Sequence, residues 1–479
     1  MSVRAITRLS RRSFLQAGGA SLAVVGATLL QACGPTAPLA PSPTAAPAAK
    51  PTQASGQPAA AAPTQAAQTS APVAQAPPAS KPKIELKLWH FFTGGNNTET
   101  TNRMIKRYSE TNPDGINISV DVFPSVELVA KYTTAFRAGS PPEIAYLPGR
   151  NMADFASRGM LLELGPELAK DVGPFPMNDQ YPIARQNGVY KGKRWMIALD
   201  LLPRGYYFRA DHVEKAGLDA KSPPRSTEQW LTWMKKLQTP DHFATGLPAS
   251  GPLFSLTRAM RNTLWFQNGV SFYSEDFRKP AINTPQAAEV LEWLTQVINN
   301  ENVTSPAIQD PRQDFLKGKV SSYYDGAFVI PLYVGEKVPF FTVRLPKFFA
   351  NDVVDMSSNM AGVTNIKDRD KIAAAAKYHQ WVLQNPAIYF DALGTVPASK
   401  TFAESDAFRK HAWYPHMKAY IDTLETAVPY PQHELSTKLE TTNAFDVGMQ
   451  QVLTGKLPAK EGLARLEKEW SDILAEGMK

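Results

Sequence analysis

The sequence predicts an α/β fold arranged in two lobes, and three observations carry that expectation. Between Ile84 and Leu147, short alternating runs and amphipathic helical runs succeed one another at the spacing of strand–helix–strand units. The chain has 479 residues, more than a single core of ordinary size requires. Its composition, 43% hydrophobic and 20% charged, is that of a soluble globular protein.

The elements follow in order along the chain. Residues 1–16 are basic and contain Ser10-Arg11-Arg12-Ser13-Phe14-Leu15, and an uncharged small-residue and apolar stretch runs from Ala17 to Ala32. That stretch is too short and too rich in glycine and alanine to span a bilayer, so residues 1–32 read as a signal peptide. The arginine pair with Phe-Leu resembles a twin-arginine export signal, with Gln16 at the usual lysine position; the general secretory route is the alternative. Leu30-Gln31-Ala32-Cys33 resembles the bacterial lipobox, which makes Cys33 the lipidated first residue of the mature chain. Cys33 is also the sole cysteine, so no disulfide forms within the chain and the fold rests on its core.

From Gly34 to Pro82 the chain is almost entirely Ala, Pro, Thr, Gln and Ser, and its charges are Lys50 and Lys81. Residues 33–82 bury no core and read as an extended, lipid-anchored spacer. Four arginines, Arg4, Arg8, Arg11 and Arg12, precede Cys33 with no acid among them. The formal charge of +7 therefore falls to +3 for a chain that begins there. That excess is too small and too dispersed to point to nucleic acid.

The ordered part begins at 83. Ile84-Glu85-Leu86-Lys87-Leu88-Trp89 alternates as a first strand, with Phe91 to Gly95 as its turn and a helix from Thr100 to Thr111 closed by Asn112-Pro113. A second strand spans Ile116 to Phe123, a helix Val126 to Arg137, and a third strand Glu143 to Leu147. Such alternation implies parallel strands. Farther on, Ser226 and Gln229 form a capping box before the apolar stripe Trp230, Trp233, Met234 and Leu237. Helices are expected over 371–384, stopped by Asn385-Pro386, and over 461–476, where Leu463, Leu466, Trp470, Ile473 and Leu474 share a face.

Several fragments then recur in the order of one known family. They are Ala138-Gly139-Ser140-Pro141-Pro142-Glu143-Ile144, the run Phe155 to Leu164, and Tyr206-Tyr207-Phe208-Arg209-Ala210-Asp211 continuing to Ala216-Gly217-Leu218. Phe315-Leu316-Lys317-Gly318-Lys319 with Asp325-Gly326-Ala327-Phe328, and Gly394-Thr395-Val396-Pro397-Ala398, follow. Over 84–474 the chain resembles the bacterial extracellular solute-binding proteins that include maltose-binding protein. The resemblance implies a two-lobed periplasmic-binding-protein-like fold of type II, with lobes at 83–199 plus 360–395 and at 200–359 plus 396–479. It further implies an ABC importer's solute-binding component, a monomer that captures a small solute, a carbohydrate first of all, by hinge closure. Its partners are then the permease's transmembrane subunits and, through acylated Cys33, membrane lipid on the outer face of the cell membrane. An anionic solute such as a polyol phosphate, or a sensor without a transport role, are the alternatives.

Residues at strand ends are the candidate ligand contacts, because solutes of α/β proteins bind there. Trp89, His90 and Phe91 end the first strand, Arg150 follows the third, and Asp200 lies in the expected hinge crossing. Arg204 stands between Pro203 and Gly205, where it could reach an anion. Trp265 follows a polar helix, where an exposed ring is expected, and Tyr324, Asp325 and Phe328 cluster at the landmark where the family often carries a sugar-stacking tryptophan.

No catalytic residue, cofactor or metal is expected. Gln313 stands where a phosphate loop ahead of Gly318-Lys319 needs glycine, and the sequence holds no Gly-x-Ser-x-Gly or His-Glu-x-x-His. His411 and His416 are ill spaced for one metal, with Pro415 expected to break a helix between them. A glycosidase carboxylate pair is the last of the readings considered.

Overall fold

The computed structural model describes residues 84–93 and 97–477. The expected signal peptide 1–32, the lipidation site Cys33 and the whole of the spacer to residue 82 lie outside the described residues, as do residues 94–96, which include the end of the turn expected over Phe91 to Gly95.

Strand β1 (Ile84–His90) alternates as its sequence dictates, with Leu86, Leu88 and His90 turned inward. It pairs in parallel with β2 (Ile116–Val122) from Ile84↔Ile116 to His90↔Val122, and with β3 (Ile144–Pro148) at Leu88↔Ile144. The helix Asn97–Thr111 between β1 and β2 buries Met104, Ile105 and Tyr108, and the helix Ser125–Arg137 buries Leu128 and Tyr132. Asn112 ends the first of these: its Oδ1 accepts from the amides of Asp114 and Ile116, turning the chain into β2.

After β3 come the hairpin β4 (Val189–Tyr190) and β5 (Lys193–Arg194), then β6 (Ile197–Ala198). The chain next runs into β7 (Asp200–Arg209), the long strand of a second sheet, which also contains β8 (Ser322–Gly326), β9 (Phe340–Arg344) and β10 (Val354–Ser357). From β10 the chain returns to the first sheet as β11 (Asn359–Val363), giving that sheet the order β2-β1-β3-β11-β6. The helices Arg369–Gln384 and Pro386–Leu393 cover it before β12 (Val396–Pro397) and β13 (Ala427–Pro429) join the second sheet. Two sheet-containing lobes result, and the chain crosses between them at 199–200, at Ser358 and at 394–395.

The parallel direction expected from the sequence holds for β1, β2 and β3 alone among the larger strands of the first sheet. β11 is antiparallel to β3 and β6, and β7 is antiparallel to β8, β9, β10 and β12, whereas β10 and β13 are parallel. β3, β8 and β11 are buried along their whole lengths whichever way they point, so burial gives no directional signal.

The second lobe's core forms around Trp230, Trp265 and Trp470, from the helices Thr227–Leu237, Phe254–Gln267 and Ala459–Gly477. Ser226 caps the first of these by accepting from the Gln229 amide, but Gln229 Oε1 accepts from Arg225 N–H rather than completing a reciprocal box. Pro415 does not break a helix: it lies in the first turn of Tyr414–Thr423, where its missing N–H costs nothing. Among the described residues, no helix is long and apolar enough to cross a membrane.

Candidate functional site in the interlobe cleft

Two adjoining cavities open between the lobes and share Val189 and Gln432. The inner one, about 200 Å³, lies at the end of β3 against the β10–β11 crossing. The outer one, about 650 Å³, is walled by the β4–β5 hairpin on one side and by 276–278 and 432–435 on the other. Together they have the size and mixed lining of a small-molecule site at a lobe interface.

Close backbone approaches create the inner wall. Gly149 donates its N–H to Ser358 O at 3.1 Å, and a Cβ there would press on Met360 Sδ at 3.0 Å, so glycine lets β3 end closely against the crossing. Arg150 is thereby delivered into the cleft, 36% exposed. Gly188 has φ +85°, and a Cβ on it would lie 2.2 Å from Met196 O, so this turn is also closed to other residues. It seats Asn187, whose amide donates to Ser358 Oγ at 2.8 Å. Lys191 (φ 49°) and Gly192 (φ 75°) form the two-residue loop of the hairpin, with the positive φ pair that matches strand twist. That loop holds Tyr190 and Lys191 at the cleft mouth.

The opposite wall is one segment of the second lobe, 432–440. Tyr190 Oη donates to Glu434 Oε2 at 3.0 Å, and Lys191 Nζ lies 3.2 Å from the same oxygen. Ser436 Oγ donates to Arg150 O at 2.9 Å, Asn151 Nδ2 donates to Thr437 Oγ1 at 2.9 Å, and Arg150 Nε lies 2.9 Å from Glu440 Oε2. Burial raises the Glu440 pKa, and the charges of Arg150 and Arg258 offset part of that rise. Arg258 also pairs with Asp446 at 3.5 Å. Behind them Arg261 is fully buried, its guanidinium 4.4 Å from the Trp265 ring and 4.8 Å from Phe445. Burial, with Arg258 beside it, lowers the Arg261 pKa to about 9.

Of the ligand contacts expected from the sequence, Arg150 lines these cavities. Trp89 lies at the end of β1, edge-on to Phe123 at 5.1 Å, and its indole N–H donates to Asp121 at 2.9 Å. Phe91 packs on Phe92 at 5.0 Å. His90 is fully buried, with Nδ1 accepting from Phe92 N–H and Nε2 bonded to Asn102. Asp200 is buried at the first crossing, where it accepts two hydrogen bonds from Asn359.

Arg204 lies 3.2 Å from Asp325 Oδ1, and Arg312 Nε donates to Asp325 Oδ2 at 2.7 Å, so the Asp325 carboxylate is consumed by two guanidiniums. Phe328 lies 5.2 Å beneath Arg312. Tyr324 is buried against Thr263. Trp265, expected as an exposed ring, is fully buried and donates to Ala287 O at 3.1 Å. The helix that carries it is buried on nearly every side, Arg261, Asn262 and Thr263 included, so its polar residues mark no solvent-facing side.

Asn187, Tyr190, Phe277, Gln432, Glu434 and Glu440 were not singled out from the sequence. The Lys191-Gly192 turn and the Pro-Tyr-Pro-Gln run at 429–432 are the signals that could have drawn attention to them. Phe277 is noteworthy: it takes φ 59° and is 46% exposed at the outer cavity, with its carbonyl bonded to His433 Nε2 at 3.0 Å. Among the described residues no group of three or more His, Cys, Asp or Glu could hold a metal ion.

Comparison with known proteins places this geometry in context. A binding protein of Brucella abortus (strain 2308) is 23% identical over 234 residues, which are 47% of this chain and 54% of the relative. The chain thus spans about half the length of the curated relatives it matches. Solved structures share the fold over most of both chains. The Listeria monocytogenes ABC substrate-binding protein Lmo0181, in complex with cycloalternan, has TM-score 0.72 and 20% identity over 83% of this chain and 99% of that one. Maltose-bound T. maritima MalE3 has TM-score 0.70 and 18% identity over 81% and 100%. UgpB of Mycobacterium tuberculosis, in complex with glycerophosphocholine, has TM-score 0.70 and 16% identity over 82% and 99%. The model of the bacterial extracellular solute-binding protein family matches residues 94–388, more than half of the sequence, and the chain belongs to that family.

Proposed function

We propose that the protein is the substrate-binding component of an ABC importer and captures a carbohydrate between its lobes. The observation that carries this reading is the cleft lining. Sugars present hydroxyls around an apolar ring face, and here Tyr190, Phe277 and Tyr430 supply ring surfaces beside the planar polar groups of Asn187, Gln432 and Arg150. Both lobes contribute, so a solute that touches both favours the closed arrangement over an open one. Solved structures of similar fold, one in complex with cycloalternan and one bound to maltose, support the carbohydrate class. A family of solute-binding proteins supports a binding rather than a catalytic role.

Export and tethering complete the proposal. Arg11 and Arg12 direct the chain through the twin-arginine route, Cys33 is acylated, and residues 33–82 tether the binding domain to the outer face of the cell membrane, within reach of its permease. Thermal melting of the purified protein against mono-, di- and oligosaccharides tests the central claim. A bound sugar raises stability by about 2.7 kcal/mol at a hundredfold excess over its dissociation constant. Turnover of any sugar, or no shift with any saccharide, would refute it.

A further inference from the structure

The two cavities differ in charge. In the wall of the outer one, Lys191 and Arg278 balance Asp276 and Glu434. In the wall of the inner one, Arg150 is the single charged side chain and no carboxylate is present. Neutral sugars are ordinarily held by acceptors for their hydroxyl protons, and ionised carboxylates are the strongest acceptors a side chain offers. The inner chamber instead offers one donor-only group, the Arg150 fork, beside the amides of Gln186, Asn187 and Gln432 and the hydroxyls of Ser357 and Ser358, which both donate and accept.

Arg150 is poised for a further partner. Its Nε faces Glu440, and its two terminal nitrogens make no hydrogen bond among the described residues. Positive charge is also in excess behind it. Arg150, Arg258 and Arg261 face Glu440 and Asp446, and Arg261 is fully buried with no carboxylate of its own. Its hydrogen-bond acceptors are Asn262 Oδ1 at 3.1 Å and Phe445 O at 3.5 Å, both neutral. A buried cation without a counter-ion is costly, and an anion arriving nearby relieves that cost.

We infer that the solute is an acidic saccharide, whose anionic oxyacid group enters the inner chamber and is held in bidentate fashion by Arg150. The inference rests on the carbohydrate reading and narrows it to a sugar that carries a carboxylate or a phosphate ester. Its ring portion extends past Val189 into the outer cavity, between Tyr190 and Phe277.

The test is calorimetric titration of the full chain with maltose and cellobiose, with digalacturonate, with glucose 6-phosphate, and with inorganic phosphate alone. The expected result is binding of digalacturonate or glucose 6-phosphate at least about tenfold tighter than of the neutral disaccharides, weakened by added salt. Which of the two prevails identifies carboxylate or phosphate as the group. Arg150→Gln should then lose about ten- to a hundredfold in affinity in a protein that still folds, and Arg150→Lys should recover part of it, since a lysine supplies charge without the planar fork. If Arg150→Gln does not fold, Arg258→Gln is the substitute, with an expected loss of about two- to fivefold.

Neutral disaccharides that bind as tightly as the acidic sugars, unaffected by Arg150→Gln, would overturn the inference and leave the carbohydrate reading standing. Inorganic phosphate that binds as tightly as glucose 6-phosphate would overturn it too, since the sugar would then contribute nothing. Failure of every saccharide would sink the carbohydrate reading, and this inference with it.

Discussion

Asp200 and Asn359 stitch together two of the crossings between the lobes: the Asp200 carboxylate accepts from the Asn359 backbone N–H at 2.8 Å and from its side-chain amide at 2.7 Å. Asp200 opens β7 as the chain leaves the first lobe, and Asn359 opens β11 as it returns. Both are buried, so the pair sets where the two crossings lie relative to each other, at the root of the cleft.

This pair predicts a pH dependence. Burial raises the Asp200 pKa to about 7, even though the two bonds from Asn359 pull it down. Between the ordinary carboxylate range and pH 7 the folded chain therefore holds a proton that the unfolded chain has lost. The stability from this group is present at low pH and is lost as pH rises through 7. Asp200→Asn removes the titration. Relative to that variant, the wild type should lose up to about 1.4 kcal/mol per pH unit between pH 5 and 7, then level off. Denaturant melts of both proteins at pH 5, 6, 7 and 8 measure it, and parallel curves would contradict the assignment.

Glu434 predicts a local effect of a different kind. Its Oε2 meets Tyr190 and Lys191 across the lobe interface, and although burial alone would raise its pKa, those hydrogen bonds hold it below the ordinary carboxylate range. The side chain is 43% exposed, so the ion pair with Lys191 contributes at most about 1 kcal/mol to stability. Glu434→Ala should accordingly leave the melting midpoint nearly unchanged. Amide exchange in 189–194 and 432–440 should quicken by about three- to fivefold, since the lost bonds join the lobes rather than stabilise either one. The helix Ala459–Gly477 should exchange as before, and uniform acceleration there would show a global effect instead.

Trp265 predicts the opposite balance. Its ring lies edge-on to Phe272 at 5.9 Å, carries the Arg261 guanidinium on its face and bonds its N–H to Ala287 O. Trp265→Ala leaves a cavity in a packed core and removes that donor, at a cost of roughly 3–5 kcal/mol. Urea unfolding should show the loss in full. If the variant unfolded at the wild-type midpoint and failed only in saccharide binding, Trp265 would be a ligand contact after all.

What was legible in the sequence divides along a physical line. β1, β2, β3 and the helices between them follow from local periodicity, since each lies within a few turns of the residues that specify it. Strand direction in the second sheet does not, because β7 is buried on both faces and its partners β8 to β10 lie more than a hundred residues away. The cleft shows the same division. Arg150 could be named because it follows a strand end, a local feature. Glu440 is its partner across 290 positions, and the segment 432–440 carries no periodic signal that would bring it to the end of β3. His90, Asp200 and Trp265 were expected to face a solute because polar or aromatic residues at strand ends often do. Asn102, Asn359 and Ala287 satisfy them from elements that no local pattern connects.

The N-terminal reading predicts two separable failures of localisation. If Cys33 carries a diacylglycerol, each buried methylene contributes roughly 0.8 kcal/mol to membrane attachment, and two acyl chains hold the protein far more firmly than one. Cys33→Ser should therefore abolish incorporation of labelled palmitate and release the protein from the membrane fraction after export, with the folded domain and its melting midpoint unchanged. Arg11→Lys together with Arg12→Lys keeps the basic charge of the leader but removes the guanidinium pair. Under twin-arginine export the precursor should accumulate inside the cell, unacylated and folded. Under the general secretory route charge alone suffices, so the double variant would be exported and labelled as the wild type is. Fractionation of both variants with palmitate labelling thus tests the anchor and the route independently.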